Sequence, residues 1–106
     1  MTKLRLLIVD DEPLARDRLR SLLKEEVEFE VAGECSRGAE AAAVIRRELP
    51  DVVLLDLQMP GGDGMQVVAA LPAEKRPAII FVTAHERYAV EAFQARAVDY
   101  VLKPFD

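Results

Sequence analysis

The chain has 106 residues, of which 51% are hydrophobic, and its formal net charge is −5. This length suits one domain over residues 1–106, and the apolar content is too high for a disordered segment. The acidic excess argues against a nucleic-acid-binding surface, because nucleic acids attract Lys and Arg. The apolar runs are too short to span a membrane, no signal peptide is visible, and the single cysteine, Cys35, can form no internal disulfide. We therefore expect a cytoplasmic domain with no membrane contact.

Short apolar runs alternate along the chain with helical patterns. The run LRLLIV predicts the first strand, over 4–9, and a helix is predicted over 13–26, with Pro13 suited to its first turn. One face of this helix holds the apolar residues Ala15, Leu19, Leu22 and Leu23. The remaining predicted elements are a strand at 29–35, a helix at 38–49, a strand at 51–56, a helix at 63–71, a strand at 78–84, a helix at 86–97 and a strand at 99–105.

Alternation of strands and helices predicts crossover units and a mostly parallel sheet. The segments VVLL and AIIFV are apolar throughout, as expected for central strands that are covered on both faces. Right-handed crossovers leave few topologies, and the best of them is a doubly wound five-stranded α/β sheet in the order 2-1-3-4-5. Sites in such sheets form at the carboxyl ends of the strands, where the strand order changes direction.

Carboxylates stand at that switch point. The first predicted strand ends at Asp10 and Asp11, and the third ends at Asp56. Because these strands are predicted neighbours, the three carboxylates should converge, and their mutual repulsion calls for a hard cation with oxygen ligands such as Mg²⁺. Glu12 follows directly and is interpreted as a helix cap or a solvated neighbour.

Two further polar residues lie at the carboxyl ends of the predicted strands, which form the rim of the expected site. The fourth predicted strand leads to Thr83 and the fifth to Lys103. A carboxylate can act as a nucleophile toward phosphorus, while a metal ion, a hydroxyl and an ammonium each take one phosphoryl oxygen. Asp56 is the acidic residue at the end of the central strand, and it is the candidate nucleophile.

The segments IVDDEP, LLDLQMPGGDG, VTA and YVLKPF together resemble the receiver domains of response regulators in two-component signalling. The resemblance covers essentially the whole chain and implies a flavodoxin-like fold. It implies that Asp56 accepts phosphate from a sensor histidine kinase, and that the domain is a regulatory phosphoacceptor rather than an enzyme. It further implies that Asp11, Asp56 and the backbone carbonyl of Gln58 bind Mg²⁺ while Asp10 holds a metal-bound water.

The same resemblance assigns roles around the phosphoryl group. Thr83 would bind it and move on activation, with Tyr100 as the coupled aromatic switch. Lys103 would pair with the phosphate, and its peptide bond to Pro104 is expected to be cis. Gln58 and His85 occupy positions that are tied to phosphoryl lifetime in this family. Packing remains an equal alternative for Tyr100, and an exposed loop position is favoured for His85.

The segment AHERYAVEAFQARAVDYVLKPF resembles receivers that precede LytTR-type DNA-binding domains. DNA would then be contacted only by a separate domain, whose control of transcription would be the output. The chain stops at Asp106, where receivers continue into a fifth helix, so we expect a truncated domain. Its uncovered apolar face would favour a homo-oligomer.

Three other functions share part of this pattern. A haloacid-dehalogenase-like phosphatase needs a second Asp two residues after its nucleophile, and here Gln58 stands there. A flavodoxin-like flavin binder needs a phosphate-binding loop after the first strand, where DDEP would repel the phosphate. The remaining alternative is a receiver-fold interaction module that works without phosphorylation.

Overall fold

The computed structural model describes residues 3–56, 64–71, 77–83 and 99–102. Within these ranges the chain forms strands and helices in the predicted alternation. The strands are β1 (Leu4–Val9), β2 (Phe29–Cys35), β3 (Val52–Asp56), β4 (Ala78–Thr83) and β5 (Asp99–Leu102). The helices are α1 (Pro13–Lys24), α2 (Gly38–Glu48) and α3 (Gly64–Ala69).

The five strands form one parallel sheet in the order β2-β1-β3-β4-β5. This order confirms the predicted flavodoxin-like topology. Strand β1 lies between β2 and β3, and its last residue, Val9, pairs with Cys35 on one side and Leu55 on the other. The chain reverses its direction of winding between β1 and β3, so the carboxyl ends of these two strands border the expected crevice.

The main core lies on the face of the sheet that α2 and α3 cover. The strands point every second residue to one face, so odd-numbered positions of β1, β3 and β4 share this side. The buried cluster joins residues of these strands and β2 to the apolar faces of the helices: Leu7, Val9, Cys35, Ala41, Ile45, Val53, Leu55, Val67, Val68, Leu71, Ile79 and Phe81. Burial of this set anchors the strand ends that present the polar residues.

Helix α1 lies on the opposite face, where Leu6, Ile8 and Val82 are buried. The predicted apolar face of α1 is only partly covered, because Ala15, Leu19 and Leu23 are half-buried. Leu22, predicted to belong to that face, is exposed. The reason is the placement of α1, which packs mainly against the edge strand β2 and less against β1.

Helix α2 ends earlier than predicted. Leu49, expected as its last residue, is instead a C-cap in the left-handed conformation, with φ 48° and ψ 56°. Its amide N–H still donates to the carbonyl of Ile45 at 2.9 Å. The following Pro50 cannot continue a helix, so the chain turns here into β3.

Other boundaries differ by one or two residues: α1 ends at Lys24 rather than 26, and β3 begins at Val52 rather than 51. The helix predicted over 86–97 lies outside the described residues, as does the end of the fifth predicted strand after Leu102. Self-association through an uncovered face stays a prediction. Among the described residues, no helix combines the length and apolar character needed to cross a membrane.

Candidate functional site

The first part of the site is the turn that follows β1. Asp10 comes directly after the strand and is only 1% exposed. Its amide N–H donates to the carbonyl of Cys35 at 3.0 Å, which extends the pairing of β1 with β2 by one residue. Its carboxylate Oδ1 accepts a hydrogen bond of 2.9 Å from the amide of Glu12. The Asp10 side chain is therefore fixed at the carboxyl end of β1.

The second part is the end of β3, where Asp56 is 6% exposed. Pairing of Val9 with Leu55 places the residues that follow them, Asp10 and Asp56, side by side. One carboxylate oxygen from each of four residues, Asp10, Asp11, Glu12 and Asp56, lies within 4.8 Å of the others. The convergence of Asp10, Asp11 and Asp56 that was predicted from the sequence is present in the structure.

The negative charges of these four carboxylates determine what the cluster can bind. Two carboxylates about 4.8 Å apart repel each other by about 3.5 kcal/mol at an effective dielectric constant of about 20. Asp10 and Asp56 are buried, so water screens their repulsion poorly, while Asp11 is half-buried and Glu12 is exposed. A donor set made of oxygens, open to water on one side, fits a hard cation such as Mg²⁺ that keeps part of its hydration shell. The residues present therefore fit the metal that the sequence predicts.

Glu12 lies at the N-terminus of α1, where a helix cap or a solvated neighbour of the site was expected. It occupies the residue before α1, but its side chain makes no capping hydrogen bond. Its carboxylate belongs to the four-residue cluster instead, although the residue is exposed. Glu12 is therefore the N-cap residue of α1 without a capping hydrogen bond from its side chain, and its exposure agrees with the interpretation as a solvated neighbour of the site.

The third part of the predicted site is the rim formed by β4 and β5. Asp56 pairs with Val82, so Thr83 follows at the same edge of the sheet, and Thr83 pairs with Leu102. Tyr100 belongs to β5 and pairs with Phe81. The backbone of Thr83 and Tyr100 is described and their side chains are not. Lys103, Pro104, Gln58 and His85 lie outside the described residues.

A basic residue that the sequence analysis did not single out contacts this site. Arg16, the fourth residue of α1, donates a hydrogen bond from Nη1 to the carbonyl oxygen of Asp10 at 2.7 Å. Its Nε forms an ion pair with Oε1 of Glu34 on β2 at 3.3 Å. The sequence shows an Arg one turn after the acidic run, but nothing in it indicates that Glu34 lies opposite.

Cys35 lies beneath this turn, with its thiol buried in the core. Burial raises the pKa of the thiol above its ordinary value, the nearby carboxylate of Glu40 raises it further, and Arg47 acts in the opposite direction. The thiol therefore stays protonated at neutral pH, as expected for a packing residue.

Comparison with known families gives one match over nearly all of the chain. A model described as the response regulator receiver domain matches residues 6–106. The chain is 48% identical over 103 residues to the transcriptional regulatory protein BtsR of Escherichia coli K12, an alignment that covers 97% of the chain and 43% of BtsR. The chain thus spans less than half the length of the curated relatives it matches.

Solved structures agree with this match. The signal receiver domain of a response regulator, NarL, from Mycobacterium tuberculosis is 36% identical, with a TM-score of 0.90 over 100% of this chain and 88% of that one. A structure of the CheX–CheY–BeF3–Mg²⁺ complex from Borrelia burgdorferi matches with a TM-score of 0.87 and 25% identity, over 97% of this chain and 80% of that one.

Proposed function

Because the chain belongs to the response regulator receiver domain family, we propose that it accepts a phosphoryl group on Asp56 in a Mg²⁺-dependent reaction. The phosphorylated domain would then switch an output that lies elsewhere in a longer protein. The observation on which this proposal rests is the cluster of Asp10, Asp11, Glu12 and Asp56 at the carboxyl ends of β1 and β3. A structural role alone does not require four carboxylates at such short range, because their repulsion costs free energy.

The proposed chemistry follows from the position of Asp56. An Oδ of its carboxylate attacks the phosphorus, the new O–P bond forms, and the bond from phosphorus to the donor breaks. With a phosphohistidine donor, the electron pair of the P–N bond passes to the imidazole nitrogen. The product is an acyl phosphate on Asp56. Asp56 is buried at the end of a strand, which limits the orientations open to its carboxylate.

The metal would be held by Asp11, Asp56 and the backbone carbonyl of Gln58, with Asp10 binding one of its waters. A Mg²⁺ ion held there would supply positive charge to balance the phosphoryl oxygens. The CheY complex from Borrelia burgdorferi contains Mg²⁺ and BeF3, which supports a site of this kind in a receiver fold. The acidic donor set in this chain is of the type that such an ion prefers.

The rim residues complete the proposal. Thr83 would donate to the phosphoryl group, Lys103 would pair with it, and Tyr100 would respond to the movement of Thr83. The register of β4 and β5 supports this assignment, because it brings the backbone of Thr83 to the edge where Asp56 lies. We also propose that Gln58 and His85 set the phosphoryl lifetime. An unchanged lifetime in a variant with both residues replaced by Ala would contradict that role.

The proposed donor is a sensor histidine kinase, and the proposed output is control of transcription by a separate DNA-binding domain. The regulatory name of BtsR and the 43% share of BtsR that the chain covers support an output domain outside the receiver. The segment AHERYAVEAFQARAVDYVLKPF favours an output domain of the LytTR type. The receiver itself would be a regulatory phosphoacceptor rather than an enzyme.

The test is phosphorylation of the purified chain by acetyl phosphate with Mg²⁺, followed by intact mass. We expect one phosphoryl adduct, which disappears with EDTA and in Asp56→Asn. Asp17→Asn is the matched control, since it removes an exposed carboxylate on α1 and should leave the adduct intact. An adduct that persists in Asp56→Asn would show that another residue accepts the phosphoryl group. Absence of any adduct in a chain that still binds Mg²⁺ would favour the phosphorylation-independent interaction module.

A further inference from the structure

Arg16 connects three elements that meet beside the carboxylate cluster. It extends from α1 to the carbonyl oxygen of Asp10 at 2.7 Å and to the carboxylate of Glu34 on β2 at 3.3 Å. The side chain of Arg16 is 19% exposed and that of Glu34 is 24% exposed. We infer that Arg16 is a positioning residue of the metal site, held by Glu34 and acting on the cluster through the backbone of Asp10. This inference rests on the proposed function.

Asp10 is held at three different atoms. Its N–H donates to the carbonyl of Cys35 at 3.0 Å, and its Oδ1 accepts from the amide of Glu12 at 2.9 Å. The Arg16 contact adds the carbonyl oxygen as the third. Asp10 follows Val9, the last residue of β1, so its carbonyl side leads into the turn toward α1. Arg16 restrains that side, and with it the peptide that leads to Asp11.

An arginine suits this task better than a lysine. The planar guanidinium presents donors in fixed directions, so Nη1 can reach the Asp10 carbonyl while Nε faces Glu34. A lysine ammonium would carry the same charge on a flexible chain and would not keep both contacts in one geometry. Arg16→Lys keeps the positive charge and loses the planar guanidinium. This variant therefore distinguishes a positioning role of Arg16 from a purely electrostatic one.

Charge alone predicts the opposite effect of Arg16 on metal binding. A positive group beside an acidic site repels Mg²⁺, so its removal should tighten binding if electrostatics were its only influence. Loss of a group that orients the ligands should weaken binding instead, typically by about 10-fold or more. Glu34 reduces the repulsive effect because its carboxylate pairs with Arg16 and with Arg20, whose Nη1 lies 2.6 Å from Oε2. The sign of the change thus distinguishes the two explanations.

Arg20 offers a matched control. It lies one turn further along α1, carries the same charge and binds the same Glu34 carboxylate, together with Asp17. The structure gives it no hydrogen bond to the Asp10 backbone, in contrast to Arg16. Arg16→Met and Arg20→Met therefore make the same change in net charge on the same helix and differ in the contact with Asp10.

The experiment is a calorimetric titration of Mg²⁺ into the parent chain, Arg16→Met, Arg16→Lys and Arg20→Met. We expect the Mg²⁺ Kd to rise about 10-fold in Arg16→Met and to rise in Arg16→Lys as well, while Arg20→Met stays close to the parent. Thermal unfolding in EDTA verifies that each variant is folded. If Arg16→Met is unfolded, Arg16→Lys and Glu34→Gln provide the comparison, and both should bind Mg²⁺ more weakly than Arg20→Met.

A second readout needs no metal. The hydrogen bond from the Glu12 amide to Asp10 Oδ1 depends on the orientation of Asp10, so hydrogen exchange at Glu12 in EDTA should be faster in Arg16→Met than in Arg20→Met. Tighter or unchanged Mg²⁺ binding in Arg16→Met would overturn the positioning role. A parent chain that takes up no Mg²⁺ would overturn the proposed function and this inference together, whereas normal uptake with equal effects of the two Met variants would overturn this inference alone.

Discussion

Substitution of Asp56 by Asn should stabilise the metal-free protein. Asp56 is 6% exposed and Asp10 is 1% exposed, and their carboxylate oxygens belong to a cluster that spans at most 4.8 Å. A pair of charges at that distance costs about 3.5 kcal/mol at an effective dielectric constant of about 20. Asn keeps the shape of the side chain, removes one charge, and brings an amide that can donate to a neighbouring carboxylate.

The expected gain is smaller than the Coulomb figure. Asp11 and Glu12 reach water, so their share of the repulsion is screened, and the turn after β1 can relax. We expect the free energy of unfolding in EDTA to rise by about 2 kcal/mol, which corresponds to about 10 °C in Tm for a domain of this size. Mg²⁺ should narrow this difference, because the parent gains about 2.7 kcal/mol at 100 times its Kd and the Asn variant gains less.

The assay is urea unfolding of the parent and Asp56→Asn, each in EDTA and in excess Mg²⁺. Glu28→Gln is the control, since it removes a charge from the exposed turn before β2, at the other end of the sheet from the cluster. That control should change the unfolding free energy by no more than about 0.5 kcal/mol. If Asp56→Asn is no more stable than the parent in EDTA, the cluster holds no unrelieved repulsion and the physical argument for a cation fails.

Three further predictions concern the scaffold. The raised pKa of Cys35 means that the folded state keeps the thiol protonated, so its contribution to stability is complete below the ordinary pKa of 9.0 and is lost as the pH rises through the folded value. Urea unfolding should therefore show a steeper loss of stability above about pH 9 in the parent than in Cys35→Ala, and equal slopes would contradict this. Leu49→Gly should raise the unfolding free energy by about 1 kcal/mol, because the left-handed C-cap strains a side chain that is 66% exposed, whereas a similar gain from Leu49→Ala would point to another cause. Ile45→Val should lower it by about 1 kcal/mol through a cavity in the core, and a thermal scan showing no loss would refute the packing described there.

The differences between sequence prediction and structure occur where distant segments meet. The periodicity of residues 15–23 correctly indicates a helix, but Leu22 is exposed because α1 packs mainly toward the edge strand. Pro50 marks the end of α2, yet the left-handed conformation of Leu49 depends on how the chain must turn into β3. Local pattern thus predicts that an element exists better than it predicts which of its residues are covered.

Sequence patterns were enough to predict the alternation of strands and helices, the strand order and the convergence of Asp10, Asp11 and Asp56. Each of these depends on patterns within one segment and on the few ways in which parallel strands can be connected. Tertiary contacts decide that the Glu12 carboxylate joins the cluster without a side-chain hydrogen bond to the start of α1, and that Arg16 links the Asp10 carbonyl to Glu34. These contacts depend on the direction of side chains from separate elements, which chain spacing does not specify.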